Sequence, residues 1–205
     1  GSEWAKQAGT KLAAMDNDIL MADTTISGAY DHGIYGAIEN RADEARADSS
    51  KPRQVNWRIY TKRRILCADA TERAIAFGNN DRPGIMMASA VRTYLNRFAV
   101  ATGQRVSVYT NNDDGWQTAK DLTDKGVKVV AVIDSLSIDP VMSIEGAEIF
   151  MSTDVTDTKG RRVIKSIMLS NGKTIPTDTL AVSGGWNPNL HLTCHHRGIP
   201  KWNEE

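Results

Sequence analysis

The chain has 205 residues and a mass of 22.5 kDa, enough for one large domain or two small ones with a buried core. Hydrophobic residues make up 40% and charged residues 24%, which argues against wholesale disorder. Lys+Arg and Asp+Glu balance at 25 each with a pI near 7.1, so the chain carries no basic footprint for nucleic acid. No apolar run approaches the ~20 residues of a membrane span, and no signal peptide is read, so no membrane partner is expected. Cys67 and Cys194 cannot build a disulfide framework and fit a reducing cytoplasm. The opening Gly1-Ser2 reads as the remnant of a cleaved tag, so the chain is expected to come from a longer one.

Residues 3–20 carry partial helical spacing, with Trp4, Ala8, Leu12, Met15 and Leu20 roughly on one face. Asp23 to Ser27 is β-prone and leads into Gly28-Ala29-Tyr30-Asp31-His32-Gly33, read as a strand leaving a sheet edge and then a turn. The charged stretch from Glu39 to Pro52 reads as a surface connection. Residues 55–60 alternate as a half-buried strand, and Ile65-Leu66-Cys67-Ala68 reads as a strand buried on both faces. Between them, the basic Lys62-Arg63-Arg64 reads as solvated. Asp81-Arg82-Pro83-Gly84 predicts a helix start, with Asp81 as cap and Pro83 in the first turn. Met86, Ala90, Val91, Tyr94, Leu95 and Phe98 supply its core stripe.

Residues 106–109 then predict a strand, 110–115 a loop, 116–125 a helix stopped by Gly126, and 127–133 a strand ending at Asp134. This is a βαβ unit, which gives two parallel strands. After Pro140, strands are expected at 147–153, 163–169 and 174–182. Asp157-Thr158-Lys159-Gly160 and Asn171-Gly172 separate them, so an antiparallel meander follows the βαβ unit.

The loop Thr110-Asn111-Asn112-Asp113-Asp114-Gly115 stands where a dinucleotide fold places its phosphate-binding turn. Such a turn needs glycines for close backbone approach and the free N–H groups of the following helix. Here the Asn111 and Asn112 side chains fill that space, while Asp113 and Asp114 cap the helix and add negative charge. Asp134 lies 24 residues past Thr110, where it would either meet a ribose hydroxyl or simply end its strand. Ser183-Gly184-Gly185 permits close backbone approach to a ligand, though a tight turn would use the same residues. His191, Cys194, His195 and His196 lack a second ligand pair, so no metal site is assigned. A Cys–His nucleophile lacks a base and an oxyanion hole, and His32 is read as a loop-packing residue. No catalytic residue is assigned.

Several segments together resemble the alpha subunit of heterotetrameric sarcosine oxidases. They are Thr24-Thr25-Ile26-Ser27-Gly28-Ala29-Tyr30-Asp31-His32, then Gly78-Asn79-Asn80-Asp81-Arg82-Pro83-Gly84-Ile85-Met86, then Ala88-Ser89-Ala90-Val91-Arg92-Thr93-Tyr94-Leu95-Asn96-Arg97, and Val182-Ser183-Gly184-Gly185-Trp186-Asn187-Pro188-Asn189. The resemblance covers most of residues 20–200 in consistent order. It extends to the flavoprotein disulfide reductases, in which a second dinucleotide domain is inserted into the first. Gly185-Trp186-Asn187-Pro188-Asn189 matches their Gly-x-x-Pro-Asn return motif. Ala68-Asp69-Ala70 stands at their Ala-Thr-Gly-like turn with Asp69 in place of glycine, and the inserted domain's glycine loop has lost its three glycines. No Gly-x-Gly-x-x-Gly fingerprint occurs in the chain.

The resemblance implies an α/β fold: a βαβ dinucleotide-binding-like inserted domain with a C-terminal antiparallel meander at 75–178, and a partial outer dinucleotide-binding domain at 1–74 with its return at 179–205. It implies an internal fragment of a flavoenzyme complex that demethylates sarcosine to glycine, formaldehyde and hydrogen peroxide. NAD, FAD, FMN and tetrahydrofolate serve the full complex, with beta, gamma and delta subunits as partners. Amine oxidation falls to the beta subunit, and the fragment itself is expected to bind none of these cofactors and to be inactive. Tyr30, Asp31, Gly184 and Gly185 are expected to line the dinucleotide site of the outer domain. Two alternatives stay open: the alpha subunit of a related amine or amino-acid dehydrogenase, and a non-catalytic scaffold at a subunit interface.

Overall fold

The structure, a computed structural model, describes residues 2–136, 139, 142–195 and 197–202. The chain divides into two compact units, one of Gly1–Ala68 with Leu190–Glu205 and the other of Asp69–Asn189.

The first unit opens with helix α1 (Ser2–Ala13), shorter than the 3–20 stretch expected, and its Trp4 and Leu12 are exposed. Strands β1 (Thr24–Tyr30), β2 (Ile34–Asn40) and β3 (Gln54–Tyr60) follow, with the short helix α2 (Ala42–Ala47) between β2 and β3. They form an antiparallel sheet in the order β1-β2-β3. Asp31, His32 and Gly33 make the tight turn of the first hairpin, with His32 at φ 62°. Glu39 draws β2 and β3 together: it accepts from Trp57 Nε1 at 2.7 Å and pairs with Arg41. Those two partners hold its carboxyl below the usual range, the Arg41 hydrogen bond most strongly. Residues 65–68 are not a strand, contrary to their apolar pattern: they lie outside regular structure, and Ile65 is 92% exposed.

The second unit begins with β4 (Ala70–Glu72) and β5 (Ile85–Met87). Helix α3 (Ala88–Phe98) starts five residues later than Pro83 suggests. The reason is non-local: residues 85–87 join a parallel sheet before the helix forms, and Glu72 Oε2 accepts from Ser89 N–H in the first turn where Asp81 was expected to cap. Ala88, Val91 and Leu95 form the buried face of α3, whereas Tyr94 and Phe98 are exposed.

Strand β6 (Val106–Thr110), helix α4 (Asp113–Asp124) and strand β7 (Val129–Asp134) then make the expected βαβ unit, with β6 and β7 parallel. Beyond it, β8 (Glu148–Phe150) is not part of a meander but a parallel edge strand beside β7. The meander is β9 (Val155–Lys159), β10 (Ser166–Leu169) and β11 (Thr174–Pro176), ordered β11-β10-β9, with Asn171-Gly172 at the turn between β10 and β11 as expected. Asp157, Thr158 and Lys159 belong to β9 rather than to a turn. Pro140 lies outside the described residues. The expected long strand at 174–182 is split, because β12 (Thr179–Ser183) leaves the meander and slots between β5 and β6, parallel to both. The five-stranded sheet therefore runs β5-β12-β6-β7-β8, every pair parallel.

Alternation along β6 explains the layers. Val106 and Val108 face a core with Val91 and Leu95 of α3 and with Trp116, Ala119 and Leu122 of α4. Tyr109 faces the opposite core, with Ile167 and Leu169 of β10 and Ile175 of β11. Helices cover one face of the sheet and the meander covers the other. Strand β13 (Trp186–Pro188) closes the unit by pairing antiparallel with β4, and α5 (His191–Cys194) belongs to the first unit. The unit's edges at Asp69 and Asn189 lie outside the 75–178 read from the sequence, because β12 is central to its sheet and β13 pairs within it.

Candidate functional site

In an open parallel sheet, ligands sit outside the carboxyl ends of the strands. At that edge of the second unit, β6 and β12 end side by side, with Thr110 paired to Ser183. The loop after β6 is held by its own side chains and by a main-chain bond from Asn111 N–H to Ser183 O at 3.3 Å. Asn112 is the N-cap of α4, and its Oδ1 accepts from Asp114 N–H at 3.0 Å. Its amide Nδ2 donates to Ser183 O at 3.0 Å and to Ser183 Oγ at 3.2 Å, which ties the loop across the ends of both strands. Thr110 Oγ1 donates to Asn112 O and accepts from Asn112 N–H. The cap is therefore Asn112, and Asp113 and Asp114, expected as caps, stand in the first turn. Asp114 pairs with Arg92 of α3, which also reaches Asp121.

Sequence reading passed over Gly115. Counted from Thr110, it holds the third position of the Gly-x-Gly-x-x-Gly spacing, the one that serves close helix–strand packing. A Cβ at Gly115 would lie 2.2 Å from Thr110 Oγ1 and 2.3 Å from Thr110 Cβ, so only glycine lets α4 pack this closely on β6. Thr110 and Asn112 hold the first two positions, and those are the ones that serve the tight turn and the approach of pyrophosphate. The spacing itself was the signal that could have found Gly115.

Asp134 is 3% exposed and fully engaged within the chain. Its Oδ2 accepts from Trp116 Nε1 at 2.7 Å and its Oδ1 from Leu136 N–H at 2.9 Å. Of the two roles open to it, the structure displays the one that ends the strand and fastens α4.

The four residues expected to line a dinucleotide site fall into different units, two in each. In the first unit, the exposed Tyr30 ring lies over the Gly28–Gly36 cross-strand pair; a Cβ at Gly28 would meet Tyr30 Oη at 2.7 Å. Asp31 is exposed at the hairpin turn beside His32. In the second unit, a Cβ at Gly184 would lie 2.8 Å from Arg73 O, and Gly184 N–H donates to that same oxygen. Gly185 has φ +93° and its carbonyl accepts from Arg73 N–H. Gly184 accommodates the main chain of Arg73 and Ala74, and Gly185 supplies the left-handed turn, just before β13 pairs antiparallel with β4. Asp69, standing where the resemblance has glycine, adopts the left-handed φ of 61° that glycine favours.

His195 and Cys194 are exposed, His195 Nδ1 accepting from Ala29 N–H at 3.2 Å, and His196 lies outside the described residues. Among the described residues no group of three His, Cys, Asp or Glu is placed to hold a metal ion, and no helix is long and apolar enough to cross a membrane.

No protein-family model matches the chain. The sarcosine oxidase subunit alpha of Rhizobium meliloti (strain 1021) is 38% identical over 208 residues, covering 100% of this chain and 21% of that protein. The subunit of the same name from Corynebacterium sp. (strain U-96) is 33% identical over 218 residues, covering 98% of this chain and 22% of that protein. The chain thus spans about a fifth of the length of these curated relatives. Among solved structures, the L-proline dehydrogenase from P. horikoshii has a TM-score of 0.70 at 18% identity, covering 98% of this chain and 34% of that one. The HOCl-induced flavoprotein disulfide reductase RclA from Escherichia coli has a TM-score of 0.64 at 13% identity, covering 99% and 44%. The resemblance read from the motifs holds along the chain: it is similar in sequence to one stretch of sarcosine oxidase alpha subunits and shares the fold of flavin-linked oxidoreductases.

Proposed function

We propose that the chain is a region of the alpha subunit of a sarcosine oxidase, a flavoenzyme complex that converts sarcosine to glycine, formaldehyde and hydrogen peroxide. The observation that carries this reading is the 38% identity across the whole chain to a protein of that name. In this reading Asp69–Asn189 is the core of the inserted dinucleotide-type domain, and the remainder belongs to the outer one. The complex works in the cytoplasm as a heterotetramer with beta, gamma and delta subunits, and uses NAD, FAD, FMN and tetrahydrofolate.

Within that assembly the role of this region is scaffolding rather than chemistry. NAD is assigned to the outer domain, because the inserted domain's loop does not fit a pyrophosphate. Asn112 already takes the Asp114 N–H that an anion would need, and Asp113 and Asp114 put negative charge at the same helix end. Tyr30 and Asp31 on one unit, and separately Gly184 and Gly185 on the other, remain the residues assigned to dinucleotide contact in the full subunit.

The test is to express the full reading frame with its partner subunits and assay sarcosine with oxygen. Peroxide release is expected. Oxidation of an amine that reduces an electron carrier without peroxide would instead assign a related dehydrogenase, and no amine oxidation would leave the interface scaffold.

A further inference from the structure

The chain has two cysteines, Cys67 and Cys194, far apart in sequence and both free and exposed. They belong to the same unit, one in each of its two chain segments, Gly1–Ala68 and Leu190–Glu205. The fold brings those segments together. Leu66, immediately before Cys67, and Thr193, immediately before Cys194, line one groove of about 270 Å³, with Leu192 beside them. Asn189 N–H donates to Asp69 O at 3.0 Å, so the chain leaves the first segment and enters the second from a single point. Cys67 lies outside regular structure and makes no backbone hydrogen bond among the described residues, so turning its side chain breaks no ladder.

This unit is also the one with least to hold it. Both core clusters lie within Asp69–Asn189. In the other unit, the only buried hydrophobic residues among those described are Ala29 and Ala37. Its second segment reaches the sheet through the bond from Ala29 N–H to His195 Nδ1 at 3.2 Å, one residue past Cys194. A unit with so small a core gains most from a covalent staple, and a cross-link over a long loop removes most entropy from the unfolded chain. Reducing surroundings keep such a pair open, and an oxidant closes it.

We propose that Cys67 and Cys194 are a redox pair that hydrogen peroxide closes into a reversible disulfide. One thiol takes an oxygen from peroxide, becoming a sulfenic acid and releasing one water. The second sulfur then attacks the first, the S–S bond forms, and a second water leaves. Two thiols lose two electrons and two protons, and one peroxide becomes two waters. The pairing itself assumes no activity. That the complex supplies the peroxide, and so fastens its own alpha subunit as product accumulates, rests on the proposed reading of the chain.

The test reduces the chain, removes the reductant and adds hydrogen peroxide in slight excess. The monomer is expected to lose about 2 Da, and its digest to hold one joined peptide pair containing Cys67 and Cys194. Its Tm is expected to rise by several degrees, and dithiothreitol to reverse both changes. Cys67→Ser and Cys194→Ser are each expected to lose the joined peptide and the Tm rise. Oxygen gained on either sulfur with no joined peptide overturns the proposal, and so does a disulfide between two chains. The full-length subunit treated in the same way is expected to give the same joined peptide, and its absence there is a further overturning result. No step uses sarcosine. A cross-link in a subunit whose complex releases no peroxide from sarcosine would sink the functional reading alone, whereas peroxide release with no cross-link would sink only the pairing.

Discussion

The indole Nε1 of Trp116 donates to Asp134 Oδ2 at 2.7 Å, with Trp116 0% and Asp134 3% exposed. The bond fastens the first turns of α4 to the end of β7, the place where a dinucleotide fold keeps an acidic residue for ribose. The carboxylate is spent on the protein's own packing. Asp134→Ala strands a buried indole N–H and removes the acceptor of Leu136 N–H. The expected loss is about 1–3 kcal/mol of stability, read from the midpoint of urea unfolding. An unchanged midpoint would show that the bond contributes nothing.

Affinity for NAD follows from the same loop. An anion at the start of α4 would forgo charge-assisted contacts of about 1.5–3 kcal/mol each. Two such losses weaken binding by roughly two to four orders of magnitude. Calorimetric titration of this chain with NAD at neutral pH is therefore expected to show binding no tighter than millimolar. Micromolar binding that Asp134→Ala abolishes would restore the inserted domain as a nucleotide site.

Gly115→Ala places a methyl group 2.2 Å from Thr110 Oγ1 and 2.3 Å from Thr110 Cβ, an atom fixed by its strand. The helix must shift off β6, at a cost of about 1–3 kcal/mol or more. Gly9→Ala, in a helix where nothing lies within 4 Å, is the matched control and is expected to be neutral or slightly stabilising. Thermal melts of the two variants distinguish close packing from a general intolerance of alanine.

Asp157 bridges the meander to the loop before β5: its Oδ1 accepts from Asn79 Nδ2 at 2.7 Å and from Thr158 N–H at 2.7 Å. These bonds, with Asn79 the larger, hold its carboxyl below the usual range. A folded-state pKa below the unfolded one means that the stabilisation is fully present above about pH 4 and is lost as pH falls through the folded value. Asn79→Ala is expected to move the Asp157 titration upward in an NMR pH series and to make the acid branch of the stability curve shallower. A titration that stays in place would detach Asn79 from this effect.

Amide exchange is expected to be slowest in β6, β7 and β12 and faster throughout residues 1–60, because the central parallel strands are covered on both faces by the two cores. The reverse order would contradict the division of buried surface described above.

The βαβ unit was legible in the residues alone because both of its signals are local. Val106-Ser107-Val108 is β-prone, α4 repeats its apolar positions every three to four residues, and Gly126 stops it. The Asn171-Gly172 turn was legible for the same reason, since two residues dictate its backbone. The polar filling of the loop after β6 was visible too, although its consequence at Gly115 was not. What local pattern does not carry is the identity and direction of a strand's neighbour. Residues 148–150 and 179–183 read equally well as meander strands, and only hydrogen bonding to β7, and to β5 and β6, makes them parallel members of the main sheet. That same pairing drew residues 85–87 out of the helix that Asp81 and Pro83 advertise. Asp134 found its partner 18 residues back, across a packed helix. Side-chain periodicity is written every two or four residues along the chain, so the sequence by itself determined the elements with strong local signals, β6, α4 and β7; backbone pairing joins residues far apart in sequence, so only the tertiary structure decided that 85–87 are strand and 65–68 are not, the order and direction of the strands, and which polar groups are already spoken for.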